Sequence, residues 1–100
     1  MLDNNIKIMA EALNAVYEDA YNLYKQEVDR IINNKITDIN YIERTLDYIL
    51  SIYTEKGFNL FMRLLLYYRT VNYNNAKEYL EFLKEDREEE YKEFVKKLRH

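Results

Sequence analysis

The chain has no cysteine, no proline and no tryptophan, and its only glycine is Gly57. Without cysteine there are no disulfides, no thiolate metal ligands and no thiol nucleophile, and cysteine usage says nothing about compartment. With one glycine and no proline in 100 residues, the tight turns of a β-sheet protein are missing. What remains is long helices joined by short polar connections. Histidine occurs once, at the final position His100, and serine once, at Ser51. Neither a Ser/His/Asp arrangement nor the Glu-x-x-His pairs of a di-iron bundle can be built around an internal imidazole. No glycine-rich phosphate loop is present. No stretch reaches the ~18 apolar residues of a membrane-spanning helix. The opening MLDNNIKIMAEAL has neither a basic n-region nor a long apolar h-region, so no signal peptide is expected. These absences predict a cytoplasmic protein, not an enzyme, without cofactor or metal and without membrane association.

Apolar residues make up 48% and charged residues 33% of the chain, the balance of a globular rather than a disordered protein. The length suits one domain with a modest core. A net charge of −3 argues against sequence-independent nucleic-acid binding, which needs a cationic surface. The 11 tyrosines accompany many Asn, Lys and Ile residues, which share A/T-rich codons, so part of the tyrosine enrichment reflects base composition.

Residues 58–68, FNLFMRLLLYY, are the most apolar stretch, interrupted only by Asn59 and Arg63. The run is too long for a typical buried strand and has no β-branched residue. On a helical wheel Asn59, Arg63 and Thr70 form a narrow wet stripe, with Phe61, Leu64, Leu65 and Tyr68 opposite and Leu66 and Tyr67 at its margins. This predicts a central third helix, with Gly57 as the stop of the helix before it.

The expected fold is all-α, a small four-helix bundle with two long outer helices. The first runs from about Asn4, capped by Asp3 or Asn4, to about Asn33. Its core stripe is Ile6, Met9, Leu13, Val16, Tyr17, Ala20, Tyr24, Val28 and Ile31. After a joint at Asn33–Lys35, Thr37 or Asp38 caps a second helix reaching about Lys56. That helix carries a core stripe of Ile39, Ile42, Leu46, Ile49, Leu50 and Tyr53. A second stripe, Tyr41, Thr45, Tyr48 and Ile52, lies toward its other side. The fourth helix follows a joint at Thr70–Asn75 and runs to about Leu98. Its stripe of Ala76, Tyr79, Leu80 and Leu83 is broken by the charged run 84–90, KEDREEE, and resumes at Tyr91, Phe94 and Leu98. Outer helices of roughly 35–45 Å cannot be covered by inner ones of about 20–28 Å. Either the joint at Gly57 is open and the second and third helices run nearly end to end, or the ends of the long helices are bare, and bare amphipathic ends invite dimerisation or partner binding.

Four readings compete. Glu43, Arg44, Asp47 and Tyr48 share a region of the second helix, but a like-charged i,i+4 pair on an exposed face explains them. Glu88, Glu89 and Glu90 point in different directions on a helix and do not form a metal site. Nucleic-acid binding draws on Tyr67, Tyr68 and Arg69, which mix aromatic and basic residues, and on the basic tail Lys96, Lys97 and Arg99. The favoured reading is a non-catalytic protein–protein interaction module, such as a small inhibitor, adaptor or regulatory protein of the kind often found on mobile elements. Its partner is another protein or a second copy of the chain. The candidate binding residues are Tyr41, Tyr48 and Ile52, the margins Leu66 and Tyr67, and the distal patch Tyr91, Phe94 and Val95.

Overall fold

The computed structural model describes residues 2–52 and 54–98, and for residues 2, 3, 94, 97 and 98 it describes the backbone alone. The described residues form five helices and no strand: α1 (Leu2–Asn33), α2 (Ile39–Ile49), α3 (Glu55–Val71), α4 (Tyr73–Asp86) and α5 (Glu88–Leu98). The fold is all-α.

Local chemistry sets the joints. At the end of α1, Ile36 N–H donates to Ile31 O at 2.9 Å while Lys35 turns left-handed at φ 50°. This wrap-back satisfies carbonyls that the helix end would leave unpaired. Asp38 caps α2 by accepting from Tyr41 N–H, and Thr54 caps α3 by accepting from Gly57 N–H at 3.0 Å. Asn72 serves two helices at once. Its backbone N–H donates to Tyr68 O at 2.8 Å to close α3, and its side chain accepts from Asn75 N–H at 3.0 Å to open α4.

Three boundaries differ from those the sequence predicts. The first helix begins at Leu2, so Asp3 and Asn4 lie inside its first turn; the Asp3 side chain is outside the described residues. The second helix stops at Ile49, because Ser51 and Ile52 donate back to Tyr48 and Ile49 and turn the chain inward. Ile52 is then buried, and Gly57 sits within the first turn of α3, pressed against it. A Cβ at Gly57 would lie 2.6 Å from Ile52 O, so close backbone approach, not helix termination, requires glycine here. The predicted fourth helix breaks at Arg87. The guanidinium of Arg87 donates to Leu50 O at 3.0 Å at the C-terminal end of α2, and α5 folds back so that Tyr91 packs against the core.

The core gathers on α3, whose Phe61, Leu64, Leu65 and Tyr68 are at most 1% exposed. Ile42, Leu46 and Ile49 of α2, Ala76 and Leu83 of α4, and Val28 and Ile31 of α1 close around them. Asn59, Arg63 and Thr70 form the expected solvent edge of α3. From that edge Arg63 reaches Asp29 of α1 at 2.6 Å. Ile39, placed by its spacing in the α2 core stripe, is exposed at the first turn, and Tyr53 lies outside the described residues.

Gly57→Ala should destabilise the protein by about 1–3 kcal/mol in a denaturant titration, overpacking outweighing the ~1 kcal/mol gain in helix propensity. A neutral or stabilising result would show that Ile52 moves aside freely. Lys35→Gly should stabilise by about 0.5–1 kcal/mol, since it relieves a left-handed non-glycine residue whose side chain is exposed.

Candidate functional site

The helix lengths determine where apolar surface is left open. At 1.5 Å per residue α1 is about 48 Å long and α3 about 25 Å, and the molecule extends 52 × 28 × 24 Å. Near the N-terminus of α3, Lys56 Nζ lies 3.3 Å from Glu18 and 5.6 Å from the Tyr21 ring centroid. Preceding this contact, every residue from Asn4 to Val16 is exposed. The expected core stripe of α1 therefore divides. Tyr24, Val28 and Ile31 pack into the bundle, and Tyr17 and Ala20 are half-buried. Ile6 is 60% exposed, Met9 71%, Leu13 51% and Val16 61%. The wheel position of these four is correct for a core, but the bundle does not extend far enough to cover them.

The open surface continues past the arm. Leu23 is 54% and Tyr48 51% exposed, and the Tyr48 ring packs on Tyr24 with centroids 5.8 Å apart. Leu23, Tyr24, Tyr48, Thr45, Tyr41, Glu27, Arg30 and Arg44 border a shallow hollow of about 300 Å³ between α1 and α2. At its far end the Tyr41 hydroxyl donates to Glu27 and receives a hydrogen bond from Arg30, which itself lies 3.3 Å from Glu27. Tyrosine and arginine around an apolar floor are the residue types enriched where protein partners bind.

The residues singled out from the sequence fall in several places. Tyr48 is exposed and Tyr41 half-buried on this α1–α2 face. Ile52 is 3% exposed and belongs to the core, not to a binding face. Leu66 is exposed on α3, whereas Tyr67 is half-buried and its hydroxyl donates to Ile36 O at 2.7 Å, tying down the α1–α2 joint. Tyr91 packs against the core and Val95 is half-buried. The Phe94 side chain lies outside the described residues, as do Arg99, His100 and the side chains of Lys97 and Leu98. In the Tyr67–Tyr68–Arg69 element Tyr68 is fully buried, and Tyr67 is half-buried with its hydroxyl engaged. Spacing alone assigned Ile6, Met9, Leu13 and Val16 to the core, and only the unequal helix lengths pointed to a bare end.

Glu43 and Asp47 also have structural partners. Tyr68 Oη donates to Glu43 and accepts from Asn75 Nδ2 at 3.2 Å, and Tyr79 Oη donates to Asp47 at 2.9 Å. Burial, then the hydrogen bond to Glu43, pushes the Tyr68 hydroxyl up to about 12, and burial with Asp47 pushes Tyr79 further in the same direction. Two hydroxyls held protonated beside carboxylates join α2 to α3 and α4 as polar cross-links. Among the described residues no group of three or more His, Cys, Asp or Glu side chains is placed to hold a metal ion. No described helix is long and apolar enough to cross a membrane.

The tyrosine pair predicts a pH dependence. Unfolded tyrosine loses its proton near pH 10, whereas the folded chain retains it on Tyr68 to about 12. Stability contributed by the pair is therefore complete below pH 10 and is lost as pH rises through that window. Denaturant titrations between pH 9 and 11.5 should show this loss, and a Tyr68→Phe/Tyr79→Phe variant should show a shallower one. The variant should cost about 1 kcal/mol per hydrogen bond at neutral pH. An identical alkaline slope in both proteins would refute the assignment.

No family model, curated protein or solved structure matches this chain.

Proposed function

We propose that this chain is a non-catalytic protein-binding module, and that it docks through the arm of α1 together with the Leu23–Tyr24–Tyr48 face beside it. The observation that carries the reading is the run Ile6, Met9, Leu13, Val16 and Leu23 along one side of α1, each 51–71% exposed. Half-exposed aliphatic side chains forgo about 1 kcal/mol each when they stay in water. Covering five of them offers a gross drive on the order of 5 kcal/mol before ordering costs. A contiguous apolar strip of this kind marks an interaction surface rather than scattered surface leucines. An adaptor or inhibitor role follows naturally, because the bundle supplies a rigid base and the arm supplies reach. Carboxylates and tyrosines that might have served catalysis are engaged in holding helices together, which supports a binding role over an enzymatic one.

A photo-crosslinking amino acid tests this reading in cells. Placed at Met9 or Leu13 it should yield a discrete adduct on irradiation. Placed at Glu11, on the opposite side of α1, it should yield none. Equal adducts from all three positions, or none from any, would sink the proposal.

A further inference from the structure

The exposed side chains of α1 have a spacing that the bundle does not need. Ile6, Met9, Leu13, Val16 and Leu23, with the half-buried Ala20 between the last two, follow one another at intervals of 3, 4, 3, 4 and 3 residues. This is a heptad pattern, with Ile6, Leu13 and Ala20 at a and Met9, Val16 and Leu23 at d. The bundle face of the same helix uses different residues, Tyr24, Val28 and Ile31. Resting on the binding role proposed above, we infer that the partner of the arm is a second copy of this chain, paired with it as an antiparallel two-helix coiled coil.

Three observations select this occupant. First, the side chains complement one another in antiparallel register. Setting each a position against a d position gives Ile6 on Leu23, Met9 on Ala20 and Leu13 on Val16, each layer occurring twice by symmetry. The long Met9 meets the small Ala20, as close packing requires. A parallel pair would instead set Met9 on Met9 and Ala20 on Ala20, and would bring two Glu27 carboxylates together.

Second, the flanks carry no like-charge conflict. Across this register Ala12 faces Asp19, Asn5 faces Gln26 and Ala10 faces Tyr17. Flanking charges normally set partner choice and repel wrong pairings, and nothing here repels an identical chain. Glu27 holds the next a position and ends the seam, its carboxylate already engaged by Tyr41 and Arg30.

Third, the area suffices for a weak, reversible pairing. The seam from Ile6 to Leu23 is about 27 Å long. Two copies of five large side chains, with the alanines and stems beside them, bury on the order of 1,000 Å². That falls below the ~1,200 Å² of stable interfaces and in the range of weak, transient ones. The pairing is therefore concentration-dependent. It also leaves the two bundles at opposite ends of the seam, and the first turns of each arm arrive at the Leu23–Tyr24–Tyr48 hollow of the other.

Sedimentation equilibrium of the full chain, with Leu13→Glu as the comparison, reads this directly. The wild-type chain should dimerise at about 10–100 µM, and Leu13→Glu should weaken the dimer at least ~10-fold with unchanged helicity and melting of the monomer. The absence of native cysteine makes the register testable as well. Ile6→Cys mixed with Leu23→Cys should form a mixed disulfide under mild oxidation, and Ile6→Cys alone should not. A wild-type chain that stays monomeric throughout this range overturns the second-copy proposal. If the arm still gives a face-specific crosslink to a different protein, the binding role survives that result, and a crosslink absent from every position removes both. Self-crosslinking of Ile6→Cys alone overturns the antiparallel geometry.

Discussion

Everything in this structure depends on covering α3. Four of its large side chains, Phe61, Leu64, Leu65 and Tyr68, are withdrawn from water almost completely. At about 2 kcal/mol each their burial is worth on the order of 8 kcal/mol, an upper figure that is comparable to the whole net stability of a small domain. No single neighbour can enclose so broad a face. Helices α1, α2 and α4 each pack against α3, and the short joints at Asn34–Asp38 and Asn72 hold them close enough to do so. The break at Arg87 belongs to the same requirement. A straight continuation of α4 would carry Tyr91 away from the core, whereas the bend returns it.

The same constraint produces the arm. A helix of 17 residues can support only the matching length of a helix of 32 residues. The remainder of α1 extends past its support with an apolar stripe still in phase. Ion pairs fix the crossing rather than drive it. Arg63 holds the Asp29 carboxyl below its ordinary range, but such half-exposed pairs contribute at most about 1 kcal/mol. Their use is geometric, in that Asp29–Arg63 and Glu18–Lys56 set which part of α1 lies on α3.

Much of this was legible from residue spacing. The wet stripe of α3 and its four buried side chains follow from wheel positions, and side-chain chemistry narrows the α2 cap to Thr37 or Asp38 and places the α3–α4 joint at Thr70–Asn75. The break at Arg87 was not legible, because it uses neither proline nor glycine. It depends on a guanidinium finding the carbonyl of Leu50, which lies 37 residues away. Gly57 was misread for a related reason. Glycine permits both a helix stop and a close approach, and only the position of Ile52 decides between them. The candidate face on α1 was the hardest to see. A helical wheel shows which side is apolar, but not how far along the helix a neighbour extends. Ile52 and Tyr48 share one stripe by spacing yet end up at 3% and 51% exposure, because α2 stops at Ile49 and the chain turns Ile52 inward.

The arm can stay helical while uncovered because its helix is already nucleated. An isolated segment of this length is marginal in water, mainly because the first turn is costly to form. Here the C-terminal half of α1 is anchored on α3, so the arm only propagates an existing helix. Ala10, Ala12, Ala15 and Ala20 favour that propagation. A docking surface that is already ordered loses little entropy on binding, which allows a small apolar area to suffice. The mismatch between 3.5 and 3.6 residues per turn then separates the two duties of the helix. A strict heptad stripe drifts by about 20° per repeat around a straight helix. From Ile6 to Ala20 the seam therefore turns by about 40° relative to the face that packs on the bundle. By Leu23 the two stripes have parted, and one helix serves its own core with Tyr24, Val28 and Ile31 while keeping a separate edge open to a partner.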